Sequence, residues 1–124
     1  MLARKRIAVP SMQPGGLEAQ RSGHFGRCDV FTLIDLEDDK VLKVEMVPNV
    51  DRADGGCLVP VQLLAGQGVH SIVVSGMGMR PLLGFMDVGI EVLLGEGITV
   101  NDALKSYIAG NLEQMKEQNV CGGH

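Results

Sequence analysis

The sequence predicts an α/β domain: a five-stranded mixed sheet of spatial order 3-2-1-4-5, its second strand antiparallel, with helices on both faces. Three observations lead there. The patterned segments run strand, strand, strand, helix, strand, helix, strand, helix. The second and third strands are joined by a short polar turn, which makes them an antiparallel hairpin. The remaining βα units close by right-handed crossovers, which set the fourth and fifth strands parallel to the first and cover both faces with helices.

The elements follow in order. Arg6-Ile7-Ala8-Val9-Pro10 reads as a short buried strand ended by its proline. Ser11 to Gly23 is a polar loop holding Pro14, Gly15 and Gly16, and loops of that length are often functional. Val30 to Leu36 is a second strand, Glu37 to Lys40 a tight polar turn, and Val41 to Val47 a third strand that alternates apolar and polar residues. A second glycine-bearing loop runs from Asn49 to Gly56. Leu58 to Gly68 then reads as a helix, with Leu58, Val61, Leu64 and Ala65 at helical spacing and Pro60 in the first turn, where a missing N–H costs little. Val69 to Ser75 is a strongly apolar strand. Gly76 to Pro81 turns into a helix over Leu82 to Val88, and Ile90 to Leu94 is the fifth strand. Thr99 caps the last helix, with Asp102 in the acidic position of a capping box, and that helix runs to about Ala109. Leu112 to Asn119 reads as its polar extension. One domain is expected over residues 1–112, followed by a polar, mobile tail over 113–124.

Composition narrows the function. With 124 residues the chain is long enough to bury a core without disulfides or a structural metal. Aromatic residues make up 3% and Trp is absent, so there is no stacking platform for single-stranded nucleic acid. The net charge of -4 also argues against generic phosphate-backbone binding. No apolar run reaches the roughly 18–20 residues of a membrane span. The basic start, Arg4-Lys5-Arg6, is followed by strand residues rather than by a signal-peptide apolar region. A cytoplasmic protein without nucleic-acid or membrane partners is expected, as a monomer or weak homodimer. Three cysteines in a reducing compartment read as free thiols or metal ligands rather than a disulfide framework.

The chemistry-bearing residues gather on loops. Ser22-Gly23-His24-Phe25-Gly26-Arg27-Cys28 sets an imidazole and a thiol four residues apart. Cys57 follows Gly55-Gly56 at the start of a helix, where the dipole favours a thiolate. Gly76-Met77-Gly78-Met79 offers thioethers and, through its glycines, backbone amides ahead of a helix, an anion-binding arrangement. The predicted topology brings these three segments to one edge of the sheet, at the carboxyl ends of its parallel strands, where open α/β sheets bind ligands. The candidate metal ligands are His24, Cys28 and Cys57, with Cys121 and His124 of the closing Cys121-Gly122-Gly123-His124 as lid ligands. Arg27, Arg52 and Arg80 ring the same edge as charge complement.

Each of these residues has a plainer reading. His24 is otherwise a turn histidine. Cys28 is otherwise a small buried residue at a strand start, Met77 and Met79 core side chains, and the arginines solvated surface. The tail is otherwise disordered. A Cys–His thiol enzyme has no nucleophile motif behind it. Nuclease chemistry lacks its carboxylates, because the first strand holds Ile7, Ala8 and Val9.

With these residues in view the chain resembles the dinitrogenase iron–molybdenum cofactor-binding family, as a stand-alone NifX-like member that is also similar to the carboxyl-terminal domain of NifB-like proteins. The matching stretches are Ile7-Ala8-Val9-Pro10, Ser22 to Arg27, Leu63 to Val69, Val73 to Gly78, Gly89 to Val92, Thr99 to Leu104 and Tyr107 to Gly110. The resemblance implies a three-layer ribonuclease-H-like fold without nuclease function. It also implies a binding or carrier role for an iron–sulfur or molybdenum-containing cluster in nitrogenase-type cofactor assembly or delivery. Cluster donor and acceptor proteins would be its partners. On this reading His24, Arg27, Cys28, Cys57, Gly76, Met77 and Gly78 bind the cofactor and no residue is catalytic. A cofactor-free regulatory or interaction module is the alternative.

Overall fold

The structure is a computed structural model that describes residues 4–23, 28–49, 58–95 and 97–116. Among the described residues nine elements succeed one another: β1 (Arg4–Ser11), β2 (Val30–Glu37), β3 (Lys40–Pro48), α1 (Leu58–Gly66), β4 (Ser71–Val74), α2 (Met79–Asp87), β5 (Glu91–Leu94), α3 (Val100–Ala109) and β6 (Glu113–Gln114). The sheet order is β3-β2-β1-β4-β5-β6. β1 pairs antiparallel with β2 and parallel with β4, and β4 pairs parallel with β5. The expected order holds for five strands, and a sixth is added at the far edge.

β1 runs through the centre of the sheet, and Ile7 to Ser11 are all buried. Alternation divides its side chains between two cores. Ala8 packs with Phe31, Leu33, Val61, Leu64, Ile72, Val74, Leu82 and Phe85 beneath α1 and α2. Ile7 and Val9 pack with Ile34, Val73, Leu93, Val100, Ala103 and Leu104 beneath α3. Helices therefore cover both faces. The strand does not stop at Pro10, as its proline suggested, but continues to Ser11. Pairing with β4 ends at Ala8↔Ile72, and the carbonyl of Pro10 accepts the Ser22 N–H at 2.9 Å. On that edge only an acceptor is needed, so the missing N–H is not felt.

Charge fixes the opposite end of the strand. Arg6 and Asp35 face each other across β1 and β2, with Nε–Oδ1 at 2.6 Å and Nη2–Oδ2 at 3.0 Å. The third guanidinium nitrogen, Nη1, donates to the Gln67 carbonyl at 2.8 Å, tying the α1–β4 connection to the same point. The hairpin turn places Asp38 and Asp39 at φ 50° and 68°, as a primed turn requires, and aspartate tolerates that region.

Two helix boundaries differ from the reading above. The helix after the Gly-Met-Gly turn starts at Met79 rather than Leu82, because Pro81 lies in the first turn and needs no N–H partner. α1 ends at Gly66 rather than Gly68. The capping box of α3 forms as read: the Asp102 N–H donates to Thr99 Oγ1 at 3.1 Å, and Asp102 Oδ2 accepts the Thr99 and Ile98 N–H groups at 3.0 and 2.9 Å.

The larger correction concerns residues after Ala109. They are not a helical extension, and residues 113–116 are not tail. Gly110 adopts the left-handed conformation (φ 74°) and terminates α3. β6 then pairs antiparallel with β5, Leu93↔Gln114 and Leu94↔Glu113, and the Met115 N–H reaches the Val92 carbonyl at 2.7 Å. Leu112 and Met115, three apart, suit one helix face, but here they pack into opposite cores, as an extended chain requires. Met115 is only 2% exposed. The sheet thus has six strands rather than five. Residues 117–124 lie outside the described residues.

Two outcomes follow for stability. Met115→Ala is expected to cost about 2–5 kcal/mol in chemical denaturation, whereas a solvated tail residue would cost almost nothing. Thr99→Ala is expected to cost about 1 kcal/mol. The N–H groups of Thr99 and Ile98 hold the Asp102 carboxyl below the usual carboxylate range. Its stabilisation is therefore present above the unfolded-state value and lost as pH falls through the folded one. Asp102→Asn is expected to flatten the decline of melting temperature below about pH 4.

Candidate functional site

β1 sends the chain toward β2 on one side, and β4 sends it toward β5 on the other. The crevice between their carboxyl ends is a topological switch point. The connections leaving β1, β3 and β4 all start from this edge of the sheet. His24, Arg27, Cys57, Cys121 and His124, and Arg52 with them, lie outside the described residues. The anchors of two connections are nevertheless defined. Asn49, which closes β3, donates from Nδ2 to the Cys28 carbonyl at 3.0 Å, and its N–H donates to the Asp29 carbonyl at 3.1 Å. Residues 24–27 and 50–57 therefore join the described structure at one corner.

Cys28 sits behind that corner. It is 5% exposed and packs in the core that holds Phe31, Leu33 and Met77. Asn49 Nδ2 lies 3.6 Å from its Sγ. Burial pushes the thiol up to about 11, so it is protonated at neutral pH. Both are features of a small core residue. Met77, 6% exposed, shares that core and also packs inward. The described soft atoms are thus close together but face away from solvent.

Gly78 is the N-cap of α2, with extended backbone (φ −75°, ψ 173°) and no side-chain cap. Among the described residues a Cβ there would meet Pro81 Cδ, at 3.9 Å, and no other heavy atom within 4 Å. Among the described residues no group of three His, Cys, Asp or Glu side chains is placed to hold a metal ion.

The loop from Met12 to Gly23 is anchored along much of its length. Met12 N–H donates to the Gln20 carbonyl and Gly16 N–H to Thr32 Oγ1, while Ser11 bridges to Arg21 and Gln20 to Thr99. Gly15 (φ +81°) comes so close to β2 and β3 that a Cβ would lie 2.7 Å from Met46 Cγ and 2.8 Å from Val30 Cγ2. Only glycine fits there.

Sequence reasoning missed Arg21. Its guanidinium lies between the residues that follow β4 and β5, donating from Nη1 to the Gly97 carbonyl at 3.2 Å and from Nη2 to Ser75 Oγ at 3.4 Å. It is only 8% exposed. The sequence offered one signal, a lone cation in a loop bound for the sheet edge, and nothing in the spacing distinguishes it from a solvated arginine. Beside it a cavity of about 640 Å³ is lined by Ser75, Leu94, Gly95, Ser106, Asn111, Leu112 and Glu113.

A family model described as dinitrogenase iron-molybdenum cofactor matches residues 4–110. The chain belongs to that family. Its likeness to solved structures extends over nearly the whole fold. The orange protein of Desulfovibrio gigas, solved in its apo form, superposes with a TM-score of 0.78 at 26% identity, covering 90% of this chain and 92% of that one. A Thermotoga protein assigned as a NifB gives a TM-score of 0.74 at 30% identity, covering 89% and 92%. An uncharacterized protein of Methanocaldococcus jannaschii is 28% identical over 97 residues, 77% of this chain and 82% of its own length. Within the dinitrogenase cofactor family, then, this chain keeps the family's α/β sheet and carries a buried cysteine immediately after the first glycine-rich segment.

The burial of Cys28 yields a direct test. In native protein at pH 8, mass-mapped alkylation is expected to modify Cys28 at least about tenfold more slowly than in denaturant, because little thiolate exists and access is closed. Modification at the rate of an open thiol would contradict its place in the core.

Proposed function

We propose that this protein binds and hands on a metal–sulfur cluster as cargo, at the crevice between the carboxyl ends of β1 and β4, as a cytoplasmic carrier of the iron–sulfur or molybdenum–iron–sulfur type. The observation that carries the reading is the family match across residues 4–110. The geometry supports it in a second way: Asn49 joins Cys28 at one corner, and Cys28 shares its core with Met77 just before α2. The ribonuclease-H-like arrangement implied by the resemblance belongs to the same proposal, as do cluster donor and acceptor proteins as partners.

On this reading His24 and Cys57 supply an imidazole and a thiolate. Gly76 and Gly78 free the backbone amides ahead of α2 to face the cluster's negative charge, and Arg27 adds a cation. Cys121 and His124 close over the cargo from the carboxyl terminus. Cys28 and Met77 support the crevice from the core. Few ligands on connecting segments suit capture and release, whereas a permanent electron-transfer centre is commonly held by four cysteines. A relative solved in an apo form accords with a group that comes and goes. A thiol enzyme built on Cys28 fits less well, because a nucleophile must be an accessible thiolate and this one is buried and held protonated.

Anaerobic purification with metal and sulfide analysis, followed by reconstitution with an iron–sulfur or tetrathiomolybdate source, tests the proposal. Stoichiometric uptake with charge-transfer absorption is expected. His24→Ala and Cys57→Ala are expected to lose most of that uptake and Cys28→Ala to keep it. A protein that stays colourless and takes up neither metal nor sulfide would refute the carrier reading.

A further inference from the structure

We infer that Arg21 and Ser75 form a binding site for a compact anion at the switch point of the sheet. The argument begins with two arginines in one protein. Arg6 presents its Nε–Nη2 edge to Asp35 at 2.6 and 3.0 Å, the two-pronged grip that guanidinium makes on a carboxylate. Arg21 has the same edge, and it lacks such a partner. Its Nη2 rests on the Ser75 hydroxyl at 3.4 Å, and its Nε is buried with no acceptor. Among the described residues no carboxylate forms an ion pair with it. Asp102 is near enough to act on it through space, but its Oδ2 accepts the Ile98 and Thr99 N–H groups.

An arginine more than nine-tenths buried with no direct ion pair among the described residues is costly, since the through-space charge of Asp102 repays its desolvation only in part. Burial also pulls its pKa down, in the direction that this cost requires. The position is specific. Arg21 bridges to Ser11 at the end of β1, Ser75 follows β4, and Gly97 follows β5. Arg21 thus touches the ends of three strands, with its backbone at β1 and its guanidinium after β4 and β5. Ser75 and Gly95 also line the 640 Å³ cavity, and a Cβ on Gly95 would lie 3.6 Å from Nη2. Arg21 therefore adjoins the cavity wall at its terminal nitrogen. Glu113, exposed on the same lining, contributes like charge and weakens the site for an anion.

The ligand is an anion small enough to offer a terminal oxygen or sulfur atom to Nη2 from the cavity while Ser75 donates a second hydrogen bond, the buried Nε adding charge from behind. A tetrahedral oxyanion, or the thio face of a metal–sulfur cluster, satisfies this. Assigning the anion to the cluster rests on the carrier reading above, whereas the anion site does not.

The test is titration of the purified protein with sodium phosphate, sodium molybdate and ammonium tetrathiomolybdate, read by calorimetry and by melting temperature. Salt effects common to all variants are subtracted. Wild type is expected to bind and to melt higher as the anion is added. Arg21→Met, which keeps the bulk and removes the charge, is expected to melt no lower than wild type without anion and to lose about tenfold or more in affinity. Arg21→Lys and Ser75→Ala should each fall between, so the site remains testable if Arg21→Met folds poorly. Glu113→Gln should bind more tightly than wild type. An equal response in wild type and the Arg21 variants overturns the inference, as does no binding in wild type. Binding that emerges only after Glu96→Gln also overturns it, because an internal carboxylate would then be the native partner. If tetrathiomolybdate binds equally with and without Arg21, the carrier reading survives and this site does not. If phosphate binds at Arg21 and tetrathiomolybdate binds nowhere, the site survives and the carrier reading does not.

Discussion

The structure depends on one strand bonded differently on its two sides. β1 takes an antiparallel partner in β2 and a parallel partner in β4. The β2 side closes over the connection between Ser11 and Val30 and brings with it the hairpin that β2 makes with β3. The other side waits on the crossover through α1, a non-local contact that costs loop-closure entropy before it is rewarded. Arg6 sits on this seam. It joins Asp35 on the hairpin side and the Gln67 carbonyl on the crossover side, so one guanidinium links the two halves. The same asymmetry opens the crevice at the strand's other end, because the chain departs in opposite directions from β1 and β4.

That crevice faces two demands at once. Its floor is dry: Cys28, Phe31 and Met77 belong to the core under α1 and α2, and they hold the corner where Asn49 meets Cys28. Around it lie polar groups: the Ser75 hydroxyl after β4, the uncapped start of α2 at Gly78, and the Arg21 guanidinium that rests on Ser75. These groups come from separate segments, which is why a net charge of -4 argued against a phosphate backbone without revealing them.

Much of the fold was legible because its signals are local. The Glu37–Lys40 turn, the apolar run at Ser71–Val74 and the Thr99–Asp102 box each specify their own conformation within a few residues. The strand order followed from connection length and handedness. What stayed hidden depends on distant partners. β6 is two residues, Glu113 and Gln114, with no β-forming character, and it becomes a strand only because β5 offers an open edge. Cys28 looked equally suited to ligand and core, and burial decides that question only once Phe31 and Asn49 are in place. Arg21 carried no motif, and its meaning comes from Ser75 and Gly97, which are far from it in sequence. The family resemblance was legible because its stretches keep their order along the chain, and residues 4–110 bear it out.

The pairing of β6 with β5 has a consequence for biosynthesis. Within this chain β6 is the last element of the sheet to be translated. Until it arrives, β5 is a nascent border strand with unpaired amides and an uncovered apolar flank, because Met115 has yet to fill its place under the neighbouring core. Such a border invites pairing with a neighbouring chain. A ribosome stalled shortly after Ala109 would therefore release a polypeptide that holds every helix of the described residues and still lacks the piece that keeps its sheet to itself.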